Sequence, residues 1–407
     1  MESQEIELSG HIIDSLILPR IYGKIMDLGG EFNINRFEIG KSKKEPSYVR
    51  MTIYANNEEK LDEIINELQL LGAKLVEVSE IKLVEVTVDG VAPDNFYSTT
   101  NHRTYVYYNN RWLEVEDIEM DCFIVVEGDR AYCKPFNQLK RGDKVVVGTQ
   151  GIRIKIPERK RERDVFAFMT SSTSSEKPVM SLIKEIARIM VEIKRKHGKI
   201  VVVAGPAVVH TGARESMAWL IDNNYVDGFL AGNAVAVHGI EAALLGTSLG
   251  VNLETVSCLE GGHKHHLIAI NEVRKAGSIK NLVEKGILKE GIMYKLIVKG
   301  IDFVLAGSIR DDGPLPEVIT DTLLAQNSMR KLLKDSGLVL MFATLLHSIA
   351  VGNMIPSHIK TICVDINPAS VTKLLDRGSS QTIGITSDVG LFLPALTKVL
   401  KDMTMKM

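Results

Sequence analysis

Six short apolar runs constrain this chain more than any other feature: residues 200–204, 228–231, 303–306, 338–343, 361–365 and 382–386. Each runs into Gly, Ala, Ser, Asn or Asp and is followed by a segment with helical spacing. A strand with one wet face alternates apolar and polar residues, whereas an uninterrupted apolar run must be covered on both faces. Strands of that kind alternating with helices specify a parallel sheet between two helical layers. The expected fold class is therefore α/β, with a C-terminal doubly wound (Rossmann-like) parallel sheet of about six strands over residues 166–407. A helix over 178–196, closed by Gly198, leads into it.

The first part of the chain has other patterns. Residues 1–80 read as strand 6–12, helix 18–28, strands 31–41 and 48–55, helix 58–71 and strand 74–78, with 41–46 as a hairpin connection. That β-α-β-β-α-β order is the split arrangement of an α+β ferredoxin-like module. Residues 81–165 form a small β-rich domain, with β-branched runs at 84–88, 105–108, 123–126 and 144–147. Asp89-Gly90, Asn109-Asn110 and Gly142-Asp143 punctuate them. The mixed-sign run at 157–164 and the Ser/Thr-rich stretch 170–175 read as a solvated linker.

Several function classes are excluded by composition. The chain has 407 residues, with 49 basic against 51 acidic side chains, and so no global field for nucleic acid or an anionic membrane surface. No apolar run approaches the ~18 residues of a membrane span. The four cysteines, Cys122, Cys133, Cys258 and Cys363, show no CxxC spacing, which indicates neither a disulfide framework nor a zinc ribbon. The start Met1-Glu2-Ser3-Gln4-Glu5 is polar and unlike a signal peptide. A cytoplasmic location is expected, and no structural metal.

In an open parallel sheet, ligands bind beyond the carboxyl ends of the strands, where helix N-termini offer free amides. The loops there are 205–212, 232–234, 307–314, 344–348, 365–368 and 387–390, all rich in Gly, Asn, Asp, Ser or His. Any one of them could be ordinary turn and cap chemistry; six at one rim point to a site. No GxGxxG follows the first strand. Asn233 and Ala234, and likewise Asp388 and Val389, open helices directly after strands and could offer amides to a pyrophosphate. Asp365 ends a strand, where it either accepts from ribose hydroxyls or caps the helix beginning near Pro368. The densest ionisable cluster is 260–266, where His263 and His266 could share a helix face and Lys264 could pair with a carboxylate or act as a base. No third metal ligand accompanies them. Arg310, Asp311 and Asp312, stiffened by Gly313 and two prolines, form a charged loop that stability alone does not require.

Taken in order, GPAVVHTGA (205–213), LAGNAVAVHGIEAALLGTSLGV (230–251), GGHKHHLIAIN (261–271), VLAGSIRDDGPLPEVITD (304–321), LLHSIAVGNMIP (345–356), VDINPASVTKLLDRGS (364–379) and TSDVGLFL (386–393) resemble one family. It is the conserved region of bifunctional lysine-oxoglutarate reductase/saccharopine dehydrogenase, and within it the archaeal alternative ornithine cyclodeaminases, also found as the C-terminal part of cyanobacterial arginine dihydrolase fusions. The resemblance extends over nearly the whole chain and implies conversion of L-ornithine to L-proline and ammonia with recycled NAD. Its nucleotide sites fall on Asn233, Ala234, Asp312, Thr344, Leu345, Leu346, His347, Asp365, Asp388 and Val389. Gly239 departs from the family pattern, where Asp is expected.

Such chemistry needs a cation for the substrate carboxylate and a base for an ammonium. Arg310 or Lys264 fits the first role by residue type, and His263 or Asp311 the second. A small-molecule substrate and a homo-oligomer are expected. A saccharopine-type NAD(P)-dependent dehydrogenase and a non-catalytic NAD-binding regulator are the alternatives.

Overall fold

A computed structural model describes all residues except 1, 14, 42–44, 77–78, 156–178, 254, 256, 258–261, 378–381 and 405–407. The middle of the 41–46 connection, the end of the strand expected to reach 78, the stretches 157–164 and 170–175, the expected boundary at 165/166, and Cys258, Glu260 and Gly261 lie outside the described residues. The chain divides into two units, Met1–Thr170 with Asn353–His358, and Ser171–Gly352 with Ile359–Met407.

The first unit opens with strands Glu2–Gly10, Glu31–Glu38, Ser47–Ala55 and Lys74–Leu75 and helices Ile17–Asp27 and Glu58–Leu70, in β-α-β-β-α-β order. The sheet runs second, third, first, fourth strand, with every pairing antiparallel. Ile6, Leu8, Val49, Met51 and Ile53 bury one face against Leu18, Ile21, Ile25, Ile64 and Leu68 of the helices. Asn57 caps the second helix, its side chain accepting from the Lys60 amide at 2.8 Å. A seven-stranded sheet follows in the same unit. Three of its strands, Arg111–Glu116, Arg130–Lys134 and Ile152–Lys155, escape the sequence reading because they are short and none carries an uninterrupted β-branched run. Gln69 joins the two layers, donating to the carbonyls of Ile152 and Thr149 at 3.3 and 3.4 Å.

The second unit is the parallel α/β sheet. From edge to edge its strands are Val318–Ile319, Phe303–Ala306, Gly228–Gly232, Lys199–Ala204, Ser336–Phe342, Lys360–Asp365 and Thr382–Thr386. All six pairings are parallel. The sheet has one strand more than expected, because Val318–Ile319 is two residues long and leaves no apolar run. From Lys199–Ala204 the chain winds outward through Gly228–Gly232 and Phe303–Ala306, then returns to Ser336–Phe342 on the opposite side. The order reverses between Lys199–Ala204 and Ser336–Phe342, and their carboxyl ends are where an open α/β sheet binds its ligand.

Candidate active site

At this switch point the backbones approach closely. The Gly205 amide donates to the Phe342 carbonyl at 2.8 Å. A β-carbon on Gly205 would collide with the Ala343 carbonyl oxygen. Ala343 itself has φ 50°, a left-handed conformation that costs a side-chain-bearing residue energy and is retained mostly where function needs it. On the neighbouring strand, a β-carbon on Gly232 would lie 3.1 Å from Cε1 of His347, so the imidazole packs directly over that backbone. Burial lowers the pKa of His347, while the charge of Asp311 acts in the opposite direction.

Asp365 ends its strand 8% exposed, with Oδ1 accepting from the Asn367 amide at 2.8 Å. Asn367 in turn accepts from the Ala369 amide at 3.0 Å, so Asn367, not Asp365, caps the helix Pro368–Arg377. Beside them Ile366 is exposed, as are Leu345 and Leu346. Asn233 opens the helix Asn233–Leu245, its buried side-chain oxygen accepting from the Leu315 amide at 3.2 Å. Ala234 follows it in the first turn. Asp388 accepts from the Gly390 amide at 2.6 Å where the helix Val389–Thr404 begins. Thr344 precedes the helix Leu345–Met354.

The expected catalytic residues fall on two segments. His263 and Lys264 are the exposed residues of the 3-10 turn Gly262–Lys264, ahead of the helix His265–Ala276, so His263 and His266 do not share a helix face. Arg310 is exposed on the loop after Phe303–Ala306. Asp311 Oδ2 accepts from the Ser308 amide at 2.8 Å and closes the turn of that loop. Among the described residues no hydrogen bond joins these four to one another.

A different cluster lies behind the rim. The helix Asn233–Leu245 is apolar on every side and buried over most of its length, yet it carries His238 and the completely buried Glu241. A burial that deep requires each charged or polar group to be paired. Glu241 Oε2 accepts from His238 Nδ1 at 2.9 Å and from the Leu249 amide at 3.2 Å. Its Oε1 accepts from the Thr247 hydroxyl at 2.9 Å and from the Gly250 amide at 3.0 Å. Desolvation would raise the Glu241 pKa, but the bonds from His238, Gly250 and Thr247 outweigh it and hold the carboxyl below its ordinary value. Because Thr247 spends its proton on Glu241, His265 Nδ1 must donate to Thr247 Oγ1, 2.7 Å away.

His210, at the end of the helix Ala207–His210, pairs through Nδ1 with Ser248 Oγ at 2.6 Å. Its ring lies 4.8 Å from that of His238, and the His266 ring 6.4 Å from His238 on centroids. His266 Nε2 is 3.4 Å from a carboxylate oxygen of Asp312. The row of imidazoles thus begins in the loop after the first strand and ends at a rim aspartate. Among the described residues no group of three His, Cys, Asp or Glu side chains is arranged to hold a metal ion. The signal for this cluster is in the sequence: a Glu and a His three apart inside a helix with no polar face must pair.

Three family models cover the chain: the LOR/SDH bifunctional enzyme conserved region over residues 3–102, and the arginine dihydrolase ArgZ-like C-terminal first region and Rossmann fold over 103–183 and 184–396. The chain is 56% identical to an ornithine cyclodeaminase of Methanopyrus kandleri, over 97% of both chains. A crystal structure of a LOR/SDH protein from Methanococcus maripaludis matches with TM-score 0.77 and 51% identity, covering 80% of this chain and all of that one. The ternary complex of AgrE with ornithine and NAD+, a bifunctional arginine dihydrolase/ornithine cyclodeaminase from Nostoc, matches with TM-score 0.56 and 42% identity. It is covered over 58% of its length by the whole of this chain. The chain belongs to the family of archaeal ornithine cyclodeaminases and the C-terminal regions of ArgZ-like arginine dihydrolases.

Proposed function

We propose that this chain converts L-ornithine to L-proline and ammonia, with NAD held at the switch-point rim of the second unit. The observation that carries this reading is the 3.4 Å contact of His266 with Asp312, which joins a row of imidazoles to the rim residues that suit a cofactor. The rim fits a dinucleotide. Asp365 has a carboxylate oxygen without a hydrogen bond among the described residues, suited to ribose hydroxyls, and its charge opposes a 2′-phosphate, favouring NAD over NADP. The amides of Asn233, Ala234 and Val389, in the first turns of two helices, suit the phosphates, and Asp388 and Asp312 suit hydroxyl or amide donors of the cofactor. Thr344, Leu345, Leu346 and His347 open the helix on the other side of the switch point, where the exposed leucines offer apolar cover to a flat base. When bound, NAD supplies acceptance and return of hydride at the substrate α-carbon.

The chain's own residues bind and move protons. Arg310, with Lys264 as a second cation, takes the substrate carboxylate, for which a guanidinium offers paired donors. His263 and Asp311 stand on the rim as acid–base groups by residue type. No helix among the described residues is long and apolar enough to cross a membrane. Cys133 and Cys363 are buried free thiols, which supports a reducing, cytoplasmic setting. The edge strand Glu31–Glu38 exposes Ile34 and Phe37, which supports pairing with a second copy of the chain.

The test is incubation with ornithine and substoichiometric NAD. Ammonia and proline in equal amounts, with no net NADH, are expected. Unchanged ornithine overturns the reading, and accumulation of reduced nucleotide equal to substrate consumed replaces it with a dehydrogenase.

A further inference from the structure

The loop residues offered for proton transfer are exposed or committed to turns, whereas Glu241 and His238 are held by geometry. Glu241 spends both oxygens on four donors from the helix Asn233–Leu245 and the segment Thr247–Gly250. A carboxylate so saturated does not act on a substrate; it orients what donates to it. Since a carboxylate only accepts, His238 carries its proton on Nδ1 and leaves the Nε2 lone pair open. A base oriented by a buried carboxylate is a recurring arrangement for proton transfer, and here it lies on the helix whose first residues form the cofactor rim.

We propose that His238 is the acid–base residue for the amine of ornithine, and that Glu241 is its positioning residue. The proposal rests on the ornithine reading above. In the step, an N–H bond of the substrate ammonium breaks, its electron pair stays on nitrogen, and a new N–H bond forms at His238 Nε2. The imidazolium is stabilised by the Glu241 charge. The same proton later leaves on the departing amine, so ornithine cation becomes proline and ammonium with no proton gained or lost by the protein.

The other groups around His238 fit this division of labour. His210, pushed down to about 4 mainly by burial, stays neutral at working pH and does not compete for the proton. His266 links the site to Asp312, and His265 is tied to Thr247.

The test uses the full chain as wild type, His238→Asn, Glu241→Gln and Glu241→Asp. It measures NAD affinity, kcat and KM for ornithine across pH, and the nitrogen-15 NMR shifts of the histidines. His238→Asn is expected to lower kcat about 100-fold or more with NAD affinity unchanged. Glu241→Gln removes the charge that favours the imidazolium, so the acidic limb of kcat/KM moves to lower pH, and Glu241→Asp restores it. The NMR shifts report His238 as the Nδ1–H tautomer in the wild type.

Wild-type kcat in His238→Asn overturns the inference, as does an unmoved limb in Glu241→Gln. That second variant decides the matter if His238→Asn does not bind NAD. A wild-type chain inert toward ornithine overturns the functional reading together with this one, whereas an active wild type with indifferent variants overturns only the assignment to His238 and Glu241.

Discussion

Gly205 stands against Ala343 with no room for a side chain, and its amide is already bonded to the Phe342 carbonyl at 2.8 Å. The collision partner is backbone rather than a movable side chain, so Gly205→Ala must spread the two strand ends at the switch point. Overpacking of this kind costs about 1–3 kcal/mol. Thermal unfolding is expected to show that loss, and fluorescence titration a drop in NAD affinity of about tenfold, the effect of ~1.4 kcal/mol. Full NAD affinity in a destabilised Gly205→Ala protein would place the dinucleotide elsewhere.

Ala343 supplies the opposite test. Its left-handed conformation costs a side-chain-bearing residue about 1–2 kcal/mol, against about 0.5–1 kcal/mol for the added freedom of a glycine in the unfolded chain. Ala343→Gly is therefore expected to raise the midpoint of denaturant unfolding, through a stability gain of several tenths of a kcal/mol up to about 1 kcal/mol. A lower midpoint would mean that the methyl group packs more favourably than the strain costs.

The capping role of Asn367 frees Asp365 for a ligand. If Asp365 accepts from ribose hydroxyls, Asp365→Asn loses a charged hydrogen bond worth about 1.5–3 kcal/mol, or some 10- to 100-fold in NAD affinity. NADP, no longer repelled, should weaken far less. Isothermal titration with both nucleotides checks this, and an equal loss for the two would remove Asp365 from the ribose.

How much of this was legible in the sequence depends on what each residue type has to hide. The central strands were, because a run such as Ile200-Val201-Val202-Val203 has no wet face and admits one environment. Val318–Ile319 was not: two residues carry no period, and only pairing with Leu305 and Ala306 makes them a strand. The rim loops were legible as a set, since Gly232, Gly307 and Asp365 follow strands whose ends can be counted. The charge-dense stretch around His263 and Lys264 was legible as a surface, because charge density in sequence marks residues that face water, and both side chains are exposed. His238 and Glu241 carry the opposite signal, polarity where no water reaches, and His210 joins them through the fold, 28 residues away from His238 in the chain.

His210 also makes stability depend on pH. Burial, helped by neighbouring His238 and opposed by Glu241, pushes its imidazole down to about 4, whereas in an unfolded chain it titrates near ~6.5. Between those values the unfolded chain binds the proton and the folded one does not, so acid favours unfolding. The contribution is fully present above pH ~6.5 and is lost as pH falls toward ~4, amounting to roughly 2 kcal/mol for this partly exposed ring. His102, His347 and His358, also lowered by burial, add losses of the same sign, so acid sensitivity of the wild type alone identifies none of them. The difference between wild type and His210→Gln does, since glutamine keeps a partner for Ser248 without titrating. Urea unfolding at pH 7.5 and pH 4.5 is expected to show a smaller acid loss for the variant. Parallel losses in both proteins would mean that His210 takes up its proton in the folded state as readily as in the unfolded one.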